Sequence, residues 1–399
     1  MKPKLYFIAN AVWGDLVGGG DIHFFELARG AISAGHSVTF LGGPALAKHV
    51  ANSGLQVEVI LTEKQRRSKI NEGSFRGQVQ MFCDYVERCV RSLMLLKRIG
   101  REDIVYSVTD YWCDSLPALV SKAGRKALVF HMEAPTLGQI LQKSRPDVEA
   151  GRLASLHYWF SQNLSLRLFR ACRDKHVFYL HPEMKPKLLQ LGFKAQEMSP
   201  ISYGVDSGMA AGVPEQTKRF DVCWIGRVHR QKGIDDLLAT IQFLSTRIPG
   251  FRALLMGKVQ PLLAPRIEQM GLKDCVEFSG FISEIDKVRL FKASRLFLMP
   301  SRHEGSPRVV GEALICGVPV LAYDLSTYRP VFGEFARYVP AFDLAAFQKE
   351  AYRLVQESRE GRSYLDSLEL GSFREINSWD HTRQIFLNGL SAGSQKQTP

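Results

Sequence analysis

A basic loop flanked by glycines is the strongest candidate for chemistry in the second half of the chain. Residues 226–233 read GRVHRQKG, and they lie between an apolar strand pattern and a helical pattern that starts at Ile234. Arg227 and Lys232 can converge on one phosphate there, because a guanidinium binds phosphate as a fork and an ammonium as a point charge. A solvated basic loop would be the simpler explanation of an isolated R-x4-K. The flanking glycines at the carboxyl end of a strand favour the phosphate ligand.

Two carboxylates with an E-x7-E spacing form a second candidate. Glu304 and Glu312 lie within the segment PSRHEGSPRVVGEALICGVPV. Ser306 is predicted as a helix N-cap, Pro307 as the first helical residue and Gly317 as the stop after Cys316, so the first-turn amides offer an anion site. Two carboxylates beside a diphosphate would be repelled unless their targets are neutral hydroxyls. Sugars supply such hydroxyls.

A third loop, near the N-terminus, is rich in glycine. Gly18, Gly19 and Gly20 follow the first apolar strand and precede a helical pattern that opens at Ile22. Glycine lets the backbone come close to a ligand, and a helix N-terminus directs free N–H groups toward an anion. The spacing is not G-x-G-x-x-G, and a glycine-rich turn is most often only a turn. This loop therefore supports an anion site without establishing one.

Two successive α/β domains are predicted to position these loops. Apolar strands alternate with helical patterns in both halves of the chain, which is typical of parallel sheets covered on both faces. We predict domains at residues 1–205 and 206–375, a C-terminal helix at 376–392 that packs back on the first domain, and a disordered tail at 393–399. The predicted strands cover residues 5–9, 37–41, 56–60, 104–107, 126–131, 175–180, 220–225, 253–256, 276–278, 296–299 and 318–322.

A long amphipathic helix is predicted between the third and fourth strands. Apolar residues recur every three or four positions from Phe82 to Leu96. Arg88, Arg91 and Arg98 fall between them, so the pattern places these three cations on the opposite face.

Composition limits the class of protein. The chain has 399 residues, 45% hydrophobic and 23% charged, which is the ordinary globular mixture and excludes disorder, coiled coil and collagen. Its longest apolar runs fall far short of the roughly 18 to 20 residues of a membrane-spanning helix. Seven cysteines without a C-x-x-C pair indicate reduced, mostly buried thiols. The apolar stretch 5–12 lacks a cleavage site and is interpreted as a strand, so a cytoplasmic location is expected.

The net charge of +12 indicates attraction to polyanions, phosphorylated ligands or an anionic membrane surface. No nucleic-acid-binding motif is present, so nucleic acid is not an expected partner.

Taken together, the motifs resemble those of the retaining glycosyltransferases of family 4, which have the GT-B fold. The resemblance covers nearly the whole chain and rests mainly on the E-x7-E pair together with G-R-x4-K-G. The N-terminal glycines, Ser202 to Asp206, Gly317 to Val320 and Ser378 to Asp380 support it. It implies an α/β, GT-B architecture with two doubly wound, Rossmann-like domains facing across a cleft. It also implies transfer of a hexose-type sugar from a nucleotide-diphosphate sugar to a glycan or lipid-linked acceptor.

The resemblance assigns a donor diphosphate site to two loops. Arg227 and Lys232 would bind the diphosphate, and Ser306 would contact it beside the helix start. Gly19 and Gly20 would approach the phosphate from the opposite domain.

The resemblance also assigns the sugar-binding and catalytic roles. Glu312 would bind the ribose hydroxyls of the nucleotide. Glu304 would bind the hydroxyls of the transferred sugar, and His131, at the end of the fifth strand, would lie near that sugar, so both are predicted as catalytic. A histidine satisfied by its own strand end is an equally good interpretation of His131.

The chain departs from the family pattern in three places. Tyr203 stands where the family usually has Asn, Ser306-Pro307 replaces an aromatic residue and Gly, and segment 325–332 replaces a glycine-rich acidic segment. These positions bear on donor identity and on the orientation of the sugar.

Metal-independent chemistry is expected, because no D-x-D occurs in the sequence. Arg227, Lys232 and helix amides would neutralise the leaving group instead. No cofactor is predicted beyond the co-substrate, for which a UDP-sugar is favoured over a GDP- or ADP-sugar. The resemblance implies retention, with a donor phosphate oxygen taking the proton of the acceptor.

Two alternative functions stay open, a sugar-nucleotide 2-epimerase of the same fold and a non-catalytic binder of anionic glycan or nucleic acid. The epimerases are not expected to carry the E-x7-E pair, and only the net charge favours a binder. A peripheral contact with an anionic membrane is a further hypothesis, with a solvated loop as its alternative. It rests on five cations in one loop, Lys64, Arg66, Arg67, Lys69 and Arg76.

Overall fold

The chain divides into two compact units. The computed structural model describes residues 2–14, 18–63, 75–142 and 151–391. The first unit is Met1–Tyr203 with Trp379–Pro399, and the second unit is Gly204–Ser378.

The first unit contains a seven-stranded parallel sheet in the order β3-β2-β1-β4-β5-β6-β7. All five residues of β1 are buried and apolar, as expected for a strand covered on both faces. Its strands are β1 Leu5–Ala9, β2 Val38–Gly42, β3 Glu58–Leu61, β4 Ile104–Ser107, β5 Arg125–Phe130, β6 Lys175–Tyr179 and β7 Met198–Pro200. Its helices are α1 Gly19–Ser33, α2 Pro44–Ser53, α3 Phe75–Leu95, α4 Trp112–Val120, α5 Leu137–Gln142, α6 Arg152–Arg170, α7 Met184–Gln190 and the C-terminal α16 Trp379–Ser391.

The second unit contains a six-stranded parallel sheet in the order β10-β9-β8-β11-β12-β13. Its strands are β8 Phe220–Ile225, β9 Ala253–Met256, β10 Val276–Phe278, β11 Ser294–Met299, β12 Val320–Tyr323 and β13 Arg337–Val339. Its helices are α8 Ser207–Gly212, α9 Ile234–Ser245, α10 Gln260–Gln269, α11 Glu284–Lys292, α12 Arg308–Ile315, α13 Arg329–Phe332, α14 Leu344–Arg359 and α15 Leu370–Ile376.

Each sheet has one point where the strand order reverses. It lies between β1 and β4 in the first unit and between β8 and β11 in the second. In open α/β sheets, ligands bind outside the carboxyl ends of the strands at such a point. Ligand-binding residues are therefore expected in the loops after these four strands.

The strand predictions are confirmed. All eleven predicted strands are present, and their ends differ by at most two residues from the observed ones. Strands β7 and β13, whose sequences are MSP and RYV, were not predicted.

The C-terminal helix α16 packs within the first unit. The ring of Phe386 lies 5.0 Å from Tyr106 and 6.1 Å from Phe7, both in the sheet. A Cβ on Gly389 would lie 2.5 Å from the ring of Phe178, so glycine permits this close approach. The predicted tail at 393–399 lies outside the described residues.

Helix α3 is present as predicted, but Arg88 does not lie on an exposed face opposite the apolar residues. Arg88 is only 2% exposed, and its Nε lies 2.8 Å from Oε2 of Glu63. Its Nη1 donates to the carbonyl oxygens of Asn10 and Val12. A buried guanidinium needs such partners, and loops from two strands supply them. Conversely, the predicted core residue Phe82 is 47% exposed.

Four of the five cations proposed for membrane contact, Lys64, Arg66, Arg67 and Lys69, lie outside the described residues. Arg76, at the start of α3, is exposed. Among the helices that the structure describes, none combines the length and apolar character needed to cross a bilayer.

Candidate active site

The loops after β8 and β11 are hydrogen-bonded to each other at the point where the strand order of the second sheet reverses. Nε2 of Gln231 donates to the carbonyl oxygen of His303 at 2.7 Å, and the backbone N–H of Arg302 donates to the carbonyl of Gln231 at 2.8 Å. Gly233 has a positive φ of 63°, and a Cβ there would lie 1.9 Å from the carbonyl oxygen of Pro300. Only glycine fits both the conformation and the space.

Lys232 and Glu304 meet where these loops join. Nζ of Lys232 lies 2.5 Å from Oε1 of Glu304, and both side chains are largely buried. Arg227, on the same loop, is exposed and forms no ion pair with the described part of the chain. The predicted phosphate-binding cation Lys232 and the predicted sugar-binding carboxylate are thus neighbours.

Glu312 is held by two cations on one of its oxygens. Its Oε1 lies 2.9 Å from Nζ of Lys287 and 3.1 Å from Nε of Arg308. Its Oε2 is buried and accepts no hydrogen bond from the described residues. Leaving a buried acceptor unpaired is costly, so this oxygen is suited to a donor group of a ligand.

Lys287 and Arg308 were missed by the sequence analysis. Arg308 precedes Glu312 by four residues in α12, and this i,i+4 spacing could have revealed it. Lys287 lies on α11, and no local pattern connects it to Glu312.

The predicted capping role of Ser306 is wrong. Helix α12 begins at Arg308, and Pro307 is its N-cap, without a side-chain hydrogen bond. Pro307 itself has extended backbone, with a φ of −76° and a ψ of 100°, so the helix starts one residue later than predicted. Ser306 is half-buried and makes no hydrogen bond to the described residues. Its hydroxyl and the uncapped first turn of α12 are therefore both available to an anion.

Tyr328 is an unexpected neighbour of this site, in the segment that departs from the family pattern. Its ring is fully buried, and its hydroxyl has no hydrogen-bond partner among the residues that the structure describes. Burial raises the pKa of Tyr328 well above its usual value, and the negative charge of Glu304 acts in the same direction. The phenol therefore stays protonated close to Glu304.

Asp236 accepts hydrogen bonds from the loop after β11 and from β12. Its carboxylate accepts from Nη2 of Arg302 at 3.0 Å and from the hydroxyl of Tyr323 at 2.9 Å. Asp236 lies in the first turn of α9, the helix that follows Lys232. Its contact with Arg302 therefore links the loop that contains Glu304 to this helix.

His131 lies at the carboxyl end of β5 in the first unit. Its Nε2 is 2.9 Å from the carbonyl oxygen of Val108, and its Nδ1 is 3.4 Å from the hydroxyl of Tyr203. A carbonyl only accepts, so Nε2 carries the proton and Nδ1 faces the Tyr203 hydroxyl. Burial lowers the pKa of His131 below its ordinary value, which keeps the ring neutral.

The first turn of α1 contains Gly19 and Gly20. Gly18 is the N-cap, and its N–H donates to Oδ2 of Asp21 at 2.7 Å. A Cβ on Gly19 or Gly20 would meet no atom of the described residues within 4 Å, and neither residue has a positive φ. Within the described part of the chain, neither packing nor backbone conformation requires glycine at these two positions.

The first unit also brings α1 toward His131. The ring of His23, in α1, lies 6.3 Å from His131 and 4.9 Å from Tyr203. The predicted site residues thus form one group in each unit. Lys232, Glu304, Glu312, Ser306 and Arg227 belong to the second unit, and Gly19, Gly20 and His131 to the first.

The site segments of the second unit match a known family. Residues 219–357 match the family model described as "Glycosyl transferases group 1". The chain carries a glycosyltransferase group 1 domain. This domain includes the 226–233 loop and both glutamates of the E-x7-E pair.

Curated relatives of the glycosyltransferase are named as sugar transferases. The chain is 26% identical over 368 residues to 2-deoxystreptamine N-acetyl-D-glucosaminyltransferase of Streptomyces fradiae, covering 87% of this chain and 85% of that protein. It is 31% identical over 127 residues to GDP-mannose:cellobiosyl-diphosphopolyprenol alpha-mannosyltransferase of Xanthomonas oryzae pv. oryzae, covering 31% of this chain and 33% of that protein.

Solved structures establish the fold of the glycosyltransferase. Anabaena HepE, in a crystal structure with UDP-glucose, superposes with a TM-score of 0.67 at 15% identity, over 98% of this chain and 99% of that one. The predicted fold class, GT-B with two parallel-sheet, Rossmann-like α/β domains, is confirmed.

Proposed function

We propose that this chain is a retaining, metal-independent glycosyltransferase that moves a hexose-type sugar from a nucleotide-diphosphate sugar to a glycan or lipid-linked acceptor. The observation that carries the proposal is the unpaired buried Oε2 of Glu312. It lies in a group 1 domain whose Lys232 and Glu304 meet at the reversal point of the sheet.

The diphosphate of the donor is assigned to Arg227, Lys232, Ser306 and the first-turn amides of α12. These groups stabilise the negative charge that develops on the leaving group, which is the task a metal ion performs in other transferases. Gly19 is assigned to the same diphosphate from the first unit, together with Gly20. No described residue gives a packing reason for glycine at these two positions, which supports that assignment.

The ribose is assigned to Glu312. Its Oε1 is occupied by Lys287 and Arg308, so the free Oε2 would accept a hydrogen bond from a ribose hydroxyl. The two cations hold the carboxylate in one orientation, and a hydrogen bond to a carboxylate is charge-assisted.

The transferred sugar is assigned to Glu304, and His131 of the first unit is proposed as a second group for that sugar. In the proposed step the bond from the anomeric carbon to the phosphate oxygen breaks, and the nucleoside diphosphate leaves with the electron pair. The acceptor oxygen forms a bond to the same face of that carbon, and its proton passes to a phosphate oxygen of the donor. His131 is neutral, so it would act as a hydrogen-bonding group rather than as a cation.

A UDP-sugar is the favoured donor, and GDP- and ADP-sugars are alternatives. The complex of HepE with UDP-glucose supports the first, and the name of the mannosyltransferase relative supports a GDP-sugar. The acceptor is proposed from the same relatives to be a glycan or a lipid-linked glycan. Cytoplasmic action, with contact between residues 64–76 and an anionic membrane, remains part of this proposal.

The test is incubation with a panel of nucleotide sugars, with and without glycan and lipid-linked acceptors, while released UDP, GDP and ADP are measured. A transferase releases nucleotide in step with product formation, an epimerase changes the sugar without release, and a binder does neither. The anomeric proton coupling of the product reports retention or inversion. Activity that is lost in excess EDTA and restored by Mg²⁺ or Mn²⁺ would contradict metal independence.

A further inference from the structure

Phe342 has a backbone conformation that is unusual for its residue type. Among the residues that the structure describes, it is the one non-glycine residue with a positive φ, which is 68°. The N–H of Asp343 donates to the carbonyl oxygen of Pro340 at 3.1 Å and closes a turn whose third position usually belongs to glycine. A bulky side chain in this conformation is strained, and such strain concentrates at active sites and ligand-binding positions.

Burial does not account for an aromatic side chain at this position. Phe342 is 50% exposed, so its ring is not part of the core. Its aromatic neighbour is Tyr323, whose ring meets it edge to face at 5.8 Å. Cζ of Arg302 lies 5.3 Å from the centroid of the Phe342 ring. The turn thus holds an aromatic ring beside a guanidinium and leaves half of it open.

The side chain of Arg302 is fixed on one of its nitrogens. Its Nη2 donates to both carboxylate oxygens of Asp236, at 3.2 and 3.0 Å, and the guanidinium stays partly exposed. Among the described residues, Nε and Nη1 of Arg302 have no hydrogen-bond acceptor. Half of an aromatic ring and two free N–H donor groups therefore lie side by side.

This combination fits a pyranose ring. A pyranose presents an apolar face of C–H groups, which packs on an aromatic ring, and hydroxyl oxygens at its edge, which accept hydrogen bonds from a guanidinium. A nucleobase would also stack on Phe342, so the place of the surface in the fold has to decide between the two.

The second sheet has a separate core on each side. Cys223 and Trp224 are adjacent in β8, so they point to opposite sides and join different cores. The core with Cys223 includes α11 and α12, and the core with Trp224 includes α9 and α14. Phe342 immediately precedes Asp343, the N-cap of α14, and Asp236 lies in α9.

The nucleoside and Phe342 are therefore assigned to opposite sides of the sheet. Glu312, to which the ribose is assigned, lies on α12 and is held by α11. The transferred sugar is assigned to Glu304, which follows Arg302 by two residues, so their Cα atoms are at most about 7 Å apart. A ring stacked on Phe342 would thus be near the transferred sugar and away from the base.

We propose that Phe342 and Arg302 form a subsite for a pyranose ring of the acceptor glycan. The C–H face of that ring packs on Phe342, and its hydroxyl oxygens accept from Nε or Nη1 of Arg302. The inference rests on the proposed function only in calling the saccharide an acceptor.

The test is saturation-transfer NMR on the full-length protein, with and without UDP. The probes are methyl glucoside, methyl mannoside, cellobiose and N,N′-diacetylchitobiose. The variants are Phe342→Gly, Phe342→Ala and Phe342→Tyr. The control is Phe243→Ala, which removes another ring beside an arginine in the same unit, since Cζ of Arg247 lies 3.8 Å from the centroid of that ring.

At least one probe should receive saturation from the wild type, mainly on the C–H protons of one pyranose face. Phe342→Gly and Phe342→Ala should both bind it about five- to tenfold more weakly, because both lose the ring. Phe342→Tyr and the control should bind it as the wild type does. Thermal unfolding should separate the first two variants, with a higher Tm for Phe342→Gly, because glycine adopts a positive φ without strain.

A purely structural role for Phe342 predicts a different order, in which saccharide affinity follows Tm rather than the presence of the ring. That order would overturn the proposal, as would wild-type binding by Phe342→Gly or the lack of saturation transfer to every probe from the wild type. A loss of UDP affinity in Phe342→Gly, measured by calorimetry, would assign the ring to the donor and overturn it as well.

The subsite and the proposed function fail separately. Release of nucleotide in step with glycoside formation, without saccharide binding at Phe342, would remove the subsite and leave the transferase. Saccharide binding that depends on Phe342, without turnover of any nucleotide sugar, would count against the proposed function and leave the subsite standing.

Discussion

Nζ of Lys287 lies 2.9 Å from Oε1 of Glu312 and leaves the other oxygen of that carboxylate buried and unpaired among the described residues. This geometry separates two tasks within one side chain. Oε1 anchors Glu312 to α11, and Oε2 is left to a ligand.

The change Glu312→Gln should lower nucleoside diphosphate affinity about tenfold, because a charge-assisted hydrogen bond contributes roughly 1.5 to 3 kcal/mol. Titration calorimetry with UDP and GDP measures this loss. Glu277→Gln, a change in a half-exposed carboxylate of β10 that pairs with Arg252, is the control and should bind as the wild type does. Equal affinities for the wild type and Glu312→Gln would remove Glu312 from the site.

Arg227→Ala and Lys232→Ala should both weaken nucleoside diphosphate binding about tenfold, but only the second should destabilise the fold. Arg227 is exposed, whereas loss of Lys232 leaves the largely buried Glu304 without its ion-pair partner. Thermal unfolding and calorimetry on each variant separate the two effects. Lys273→Ala, at an exposed lysine on another loop, serves as control. An unchanged Tm for Lys232→Ala would argue against the ion pair, and unchanged affinity in both variants would argue against the phosphate site.

Gly233→Ala should destabilise the second unit far more than Gly250→Ala does. Both glycines have a φ near +65°, so both variants suffer the same backbone strain, of roughly 1 to 2 kcal/mol. Only the Cβ at 233 would collide with a carbonyl oxygen, that of Pro300. The difference between the two free energies of unfolding in urea measures the collision. Similar values for the two variants would mean that the loops after β8 and β11 are not packed as described.

Gly20→Ala should preserve or raise stability, by up to about 1 kcal/mol, because alanine favours a helix and a Cβ has open space there. Donor binding should nevertheless weaken if the phosphate approaches this turn. Gly371→Ala, at a helical glycine of the second unit with equally open space, should change stability alone. Wild-type donor affinity in Gly20→Ala would remove the first turn of α1 from the diphosphate site.

Asp110→Asn should make the protein more stable than the wild type at about pH 8, with a smaller advantage at about pH 5. Burial raises the pKa of Asp110 to about 7, although Gln162 donates to its Oδ2 at 2.7 Å. Between its ordinary pKa and 7, the folded state binds more protons than the unfolded state, so this carboxyl costs stability as pH rises through that window. Urea unfolding of both proteins across the range measures the difference. A difference that does not change with pH would show that Asp110 is ionised normally.

Local pattern was sufficient for the strands, for helix α3 and for the loops that bear the site. Eleven strands are recognisable because each contains apolar residues in a short stretch bounded by polar or glycine residues, and most of them are buried. The stop of α12 was also predictable, since Gly317 has a φ of 70°, which glycine adopts without strain. The start of that helix was one residue wrong, because Pro307 adopts an extended conformation and is the N-cap itself.

The amino-acid sequence alone determined the fold class and the positions of most strands along the chain. It also identified the basic loop and the E-x7-E pair. Each of these features depends on neighbours within a few positions. The tertiary structure decided which groups meet. Periodicity showed that α3 has an apolar stripe, but only the packing of α3 against α4 decided that Tyr85 is buried and Phe82 exposed. It also decided that Arg88 reaches Glu63 and that Lys287 holds Glu312. Those contacts join residues about 25 positions apart. Local conformational preferences do not specify which distant segments of the chain come together in the folded protein.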